Sequence, residues 1–380
     1  MGNAQIQAAR QRRATALAQA GSAKDIMQLI SDGKVVPIIS DSFRIEQIFR
    51  VFYEEENSEA AKDPKKLTIS ELLTGEWADS WKDSESNQDS ESNNLHYPMG
   101  DKENLAHVAQ YFLVEQKRIQ PVYARGEFLG FLKSWFLTLC GGNPDYTDLA
   151  ERLQSQVGSM RFSDIVQKLE YPIKFQNTGE DPLDLLAGFP LPIYITTSPS
   201  HFLERALEAK GKTPITQVCY WTRSLAADRR PDAEINPTEK NPLVYHLFGL
   251  EDDAQTLVLS EDDFMDFLLF MGQDTDTRNP IVPLVVRKAL TKQPVLLLGY
   301  RLRDWDFRVL FRLISNYRKE MDVPRGMLIQ LPETEQGNMG SVSYLKNYFN
   351  KMDFDVEWSD AEAYVQKLWN DWDNYRKSHS

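Results

Sequence analysis

The sequence predicts an α/β fold: a parallel sheet with helices on both faces, interrupted by a helical insert. Three observations carry this. In the second half of the chain, short apolar runs of strand length alternate with segments of helical period. Those runs are apolar at odd and even positions alike, as strands buried on both faces are. Between the first such run and the second lies a long stretch of helical pattern without strand signals.

Taken in order, residues 5–30 read as helix, rich in Ala and Gln and carrying Arg10, Arg12 and Arg13. "KVVPIIS" is the first buried strand. "FRIEQIFRVFY" places Ile45, Ile48, Phe49 and Phe52 at helical spacing. Residues 54–104 turn polar, with "LTISELLTGEWADSW" the one stretch apolar enough to pack as a short helix. The polar part at 82–94 buries too little surface to offset its ordering entropy and reads as a disordered loop. From 104 to about 190 the pattern is helical.

The second half then alternates. "LPIYITT", "TQVCYW", "LVYHLFG", "TLVLS", "PVLLLGY", "GMLIQL" and "FDVEW" read as strands. "PSHFLERALEAKG", "EDDFMDFLLFMG", "VPLVVRKALT", "DWDFRVLFRLISNYRK", "VSYLKNYFNKM" and "AEAYVQKLWNDW" read as helices. The expected organisation is an N-terminal helical segment at 1–33 and one domain at 34–380. Its helical insert spans about 44–190 and contains the loop near 82–94.

Composition narrows the function classes. The 380 residues include 8 Trp, 15 Tyr and 19 Phe, enough for a sizeable core. The net charge of −13 disfavours direct binding of nucleic acid or an anionic membrane. No run of about 18 apolar residues is present, so no span is expected. The first residues lack an apolar signal-peptide core, and Ile6 stands where a myristoylation motif wants Ser or Thr. A cytoplasmic protein is the expectation. Two cysteines, Cys140 and Cys219, are too few for a disulfide framework or a four-cysteine zinc site.

In open parallel sheets, ligands sit at the carboxyl ends of the strands. Ser40, Asp41 and Ser42 follow the first run, and Thr196, Thr197 and Ser198 the second. His246 and then Gly249 follow within "LVYHLFG", and Gly299 and Tyr300 follow "VLLL". Glu261 and Asp262 follow "TLVLS". Each has a structural reading beside the functional one. Ser198 precedes Pro199 and suits a helix cap, Asp304 can cap the next helix, and Gly299 can serve a turn alone. His246 is either a buried histidine with a partner or a base facing a ligand.

The order of "VVPIIS", "YITTSPSHFLERAL", "LVYHLFG…TLVLSEDDFMDFL" and "LLLGYRLRDWDFRVLF" resembles the sirtuin-like family. It is most similar to prokaryotic sirtuin-like NAD-consuming effectors of anti-phage defence. The resemblance implies a Rossmann-like sheet with NAD, as substrate, across the strand ends. It implies hydrolysis of the nicotinamide–ribose bond without a metal, in a toxic effector held silent until triggered. The partners it implies are copies of the chain itself or a regulatory protein, with a ring-forming ATPase or helicase among the classes.

By position, the resemblance makes His246 the base and Ser198 its companion in catalysis. Ser40, Asp41, Ser42, Thr196, Thr197, Gly299 and Tyr300 become the NAD-binding groups. His246 is accordingly expected to face a cleft. Three places depart from the family pattern. Ser40-Asp41-Ser42 replaces a glycine-rich loop, Ser198 replaces an asparagine, and Phe248 stands directly before the glycine where the family has its histidine. These departures support an alternative: a catalytically weak or inactive nucleotide-binding subunit acting as sensor or scaffold.

Overall fold

The computed structural model describes residues 23–56, 67–81, 97–115, 121–176, 179–222, 225, 235–274, 280–319, 327–331, 339–350 and 354–379. The expected loop at 82–94 and the first 22 residues lie outside them.

Among the described residues, seven strands form one sheet, every adjacent pair parallel. They are β1 (Val36–Ile39), β2 (Ile193–Thr196), β3 (Ile215–Val218), β4 (Leu243–His246), β5 (Val295–Leu298), β6 (Met327–Leu331) and β7 (Phe354–Trp358). Their spatial order is β3-β4-β2-β1-β5-β6-β7. The expected α/β class is therefore observed. The chain builds on one side of β1 with β2, then the edge strand β3, then β4 inserted between them, and turns to β1's other side with β5. The order reverses at β1, so the crevice at its carboxyl end is where such sheets hold ligands.

Burial on both faces follows from the pleat. Tyr245, Ile195, Ile38, Leu297 and Ile329 lie side by side across five strands, in one row. All five are buried and belong to the apolar cluster on one face. Their strand neighbours Val244, Tyr194, Ile39, Leu296 and Leu298 point the other way, into the cluster on the opposite face. A proline is unusual in a central strand because it cannot donate to the ladder. Here the pairing of β1 with β2 begins only at Ile38, one residue beyond Pro37.

The described helices are, in order, α1 (Ala23–Ser31), α2 (Ser42–Glu56), α3 (Ile69–Ser80), α4 (Leu105–Glu115), α5 (Pro121–Gly141), α6 (Thr147–Gln154), α7 (Phe162–Leu169), α8 (Pro182–Gly188), α9 (Phe202–Ala209), α10 (Glu261–Gly272), α11 (Leu284–Lys292), α12 (Trp305–Lys319), α13 (Met339–Asn350) and α14 (Ala361–His379). Helices α2 to α8 stand between β1 and β2 and pack with α9 and α14 against one face of the sheet. Polar contacts reinforce that apolar packing. Arg44 of α2 pairs with Asp181 at 2.6 Å. Arg50 pairs with Glu362 of α14 at 2.8 Å, and Trp372 donates its indole N–H to Ser31. No described helix is long and apolar enough to cross a membrane.

One expected strand is corrected. "TLVLS" is irregular at 257–259, and only the amide of Val258 reaches strand-end backbone, at Phe248 O. The reason is geometric: β4 already has β2 on one side and β3 on the other. An apolar run there can bury its side chains but finds no free sheet edge. Gly249, at φ +95°, turns the chain so tightly that a Cβ would lie 2.4 Å from Thr256 O.

Candidate active site

Two sets of polar side chains meet near the carboxyl ends of the strands. The first lies where β1, β2 and β5 end. Thr196 donates its hydroxyl to Ile39 O at 3.0 Å, and the Thr197 amide donates to the same oxygen at 3.0 Å. These bonds fold the end of β2 onto the end of β1. Ser198 then donates its hydroxyl to Asp41 Oδ1 at 2.6 Å. On the other side of β1, Ser40 donates to Gly299 O at 2.5 Å and accepts the amide of Phe43. Gly299 has φ +76°, and a Cβ there would meet Ser40 Oγ at 2.7 Å and Phe43 Cβ at 2.8 Å. A glycine is thus required for β5 to close on β1. Thr197 Oγ1 lies 3.3 Å from the Tyr300 hydroxyl and donates to Asp306 at 3.4 Å.

The expected NAD-binding residues are thereby brought together, with different degrees of access. Ser40, Thr196 and Tyr300 are buried and spend their side chains on neighbouring protein groups. Asp41 and Ser42 are half-buried on the rim, and Thr197 and Ser198 are nearly closed over. Burial pushes the Asp41 carboxyl up to about 6, the Ser198 bond opposing it. Burial, with Asp304 and Asp41 nearby, also pushes Asp306 well above the usual carboxylate range. Sequence reasoning missed Asp306 because its neighbours Trp305 and Phe307 read only as a helix face.

His246 is a correction. It does not face a cleft: its exposure is 0%. Its Nδ1 donates to the backbone oxygen of Ser198 at 2.8 Å, and its Nε2 meets Glu204 Oε1 at 2.8 Å. The ring therefore ties the backbone that carries Ser198 to helix α9. Phe248, in the place before the glycine, is buried edge-on against Phe264 and Phe267.

Glu204 is the partner the sequence reading missed. Burial raises its carboxyl, but the charges of His246 and His201 outweigh this and hold it well below the usual range. It accepts from Thr216 at 2.9 Å, and His201 Nδ1 lies 3.6 Å away. His201 Nε2 in turn meets Asp252. Burial lowers His201, yet Glu204 and Asp252 prevail and raise it. A signal was present in the sequence: Glu204 falls on the same face of α9 as Leu203 and Leu207, a charge at a core position. Among the described residues, no group of three or more His, Cys, Asp or Glu side chains is placed to hold a metal ion.

Residues 192–355 match the family model of the SIR2-like domain. The matched segment runs from the start of β2 into β7 and contains Ser198, His246, Gly299, Tyr300 and Asp306. It supports the sirtuin-like reading and, with it, an NAD-binding fold. The β1 end, with Ser40, Asp41 and Ser42, lies outside the matched SIR2-like segment and meets it in space through the Ser198–Asp41 and Ser40–Gly299 bonds. No curated protein matches the chain.

The donor set at the β1 crevice suits part of NAD. Hydroxyls of Ser198 and Thr197 match ribose hydroxyls. A carboxylate at Asp41 matches the cationic nicotinamide ring and repels a phosphate. The pyrophosphate would have to lie away from Asp41.

Proposed function

We propose that the crevice at the ends of β1, β2 and β5 takes NAD and hydrolyses its nicotinamide–ribose bond. The observation that carries this reading is the 2.6 Å bond between Ser198 and Asp41 at the reversal of strand order. In the reaction, the C1′–N bond breaks and nicotinamide leaves with the electron pair. Positive charge develops on the ribose, which a carboxylate at Asp41 stabilises. Water adds at C1′ and gives its proton to the same carboxylate, ionised at neutral pH because its value is about 6. Ser198 orients Asp41 through its hydroxyl. His246 acts as a positioning residue, holding the Ser198 backbone in place.

With this reading goes the biological role that the resemblance suggests: a toxic effector of a prokaryotic antiviral system. Its activity would be released by self-assembly or by a partner such as a ring-forming ATPase or helicase.

A second reading is favoured by two specific observations, the full burial of His246 and the packed Phe248. In it, the chain binds NAD-type nucleotides without turnover and serves as a sensor or scaffold subunit.

One experiment separates the two. The purified protein, alone and with candidate partners, is incubated with NAD, and nicotinamide is quantified by chromatography. Binding is followed in parallel by calorimetry. Release that disappears in Asp41→Asn supports hydrolysis at this crevice. Binding without release supports the second reading, and neither binding nor release overturns both.

A further inference from the structure

A second cleft, of about 340 Å³, opens near the β3 edge, on the side of the sheet covered by the helical insert. Its walls come from α9, β3, the loop after β4 and the residue preceding α7. Glu204 lines it. This side chain is 4% exposed, and only one of its carboxylate oxygens is used. Oε1 takes His246 and Thr216, while Oε2 is buried with no hydrogen-bond partner. A buried polar atom left so is destabilising unless something donates to it.

The rim carries two exposed arginines, beside the carboxylates of Asp252 and Glu208 that also line the cleft. Arg161 spends Nε on Asp252 at 2.8 Å, and its side chain is 46% exposed. Arg205 pairs with Asp164, has Glu208 3.7 Å away, and is 39% exposed. Each guanidinium carries five N–H donors, so both keep donors to spare. Pro214 and Leu250 supply apolar wall. The strand-end crevice is separate: the His246 ring and the Ser198 backbone stand between it and Glu204.

We propose that this cleft binds a small organic molecule that carries an anionic group and, apart from it, an amine or amide donor. The donor would meet Glu204 Oε2 at the base, and the anionic group would meet Arg161 and Arg205 at the rim. A bare anion satisfies only the rim, and a bare amine only the base. Two sources share this chemistry, a free amino acid with an amide side chain and a mononucleotide with an exocyclic amine. The site does not depend on what the strand-end crevice does.

The test is calorimetric titration of the full chain with AMP and, separately, with L-glutamine, using inorganic phosphate as the control. One of the two probes is expected to bind, and phosphate alone to bind at least about tenfold more weakly. Which probe binds identifies the source. Glu204→Gln, which removes an acceptor oxygen, and Arg161→Met are each expected to weaken binding by about tenfold or more. Glu204 also supports His246, so folding of that variant is checked by circular dichroism. The exposed Arg161→Met decides the matter alone if Glu204→Gln does not fold. The proposal is overturned if neither probe binds, if phosphate binds as well as either, or if Arg161→Met leaves affinity unchanged.

Discussion

The Ser198 hydroxyl donates to Asp41 Oδ1 over 2.6 Å, joining the ends of two adjacent strands through a carboxylate that burial discourages from ionising. An ordinary aspartate would be ionised above about pH 4 in the unfolded chain. In the folded chain Asp41 holds its proton up to about 6. The folded state therefore binds more protons between those values. Its advantage is complete below about pH 4 and is lost as pH rises through 6. The loss should be roughly 2–3 kcal/mol, and Asp41→Asn should escape it. Urea unfolding at several pH values from 4 to 7 checks this, and parallel curves for the two proteins would refute it. Asp41→Asn should then be more stable than wild type at pH 7 while losing any nicotinamide release.

His246→Ala should destabilise the protein by about 3–5 kcal/mol, because it strands the Glu204 carboxylate in the interior. It should also free the backbone at Ser198. Denaturant unfolding measures the cost. A variant as stable as wild type would restore the solvent-facing histidine that the sequence suggested.

Gly299→Ala should cost about 2 kcal/mol or more. Its backbone sits at φ +76°, and the added methyl would strike Ser40 Oγ and Phe43. Thermal unfolding, followed by circular dichroism, gives the result. An unchanged midpoint would mean that β1 and β5 are less tightly closed than described.

Asp263→Ala should cost about 2–4 kcal/mol. The Asp263 carboxylate pairs with Arg125 and accepts the amides of Leu259 and Ser260 at 3.0 Å each. The damage should be local, because these bonds fasten the start of α10 to α5. Hydrogen exchange should accelerate at residues 259–264 before it does in β1. Uniform acceleration throughout the sheet would contradict a local role.

Much of the architecture was legible because a buried parallel sheet writes itself as short apolar runs. The runs at β1, β2, β4 and β5 read as one sheet and are one sheet. "TLVLS" misled because apolar content reports burial, not the presence of an unpaired neighbour. The groups around β1's end were legible as strand ends; their access was not. His246 was the hardest case. Alternation put it on a face with Val244 and Phe248, and both faces are apolar. Its partner Glu204 lies 42 residues earlier, and the charge it places among the apolar positions of α9 does not by itself say which side chain it pairs with.

β1 sits at the middle of the sheet, yet it is made first. Its last residue bonds to Thr196, 157 positions later, and Ser40 just beyond it bonds to Gly299, 259 positions later. Such pairings are slow to find, since a long loop must close before any contact rewards it. As the chain leaves the ribosome, "VPII" must wait through the synthesis of seven described helices before its first neighbour exists. Its second arrives about a hundred residues after that. The helices between can form early, but the sheet has no centre until β5 has emerged. A chain halted before β5 would present one bare apolar edge of β1, and would be a natural client for chaperones or proteases.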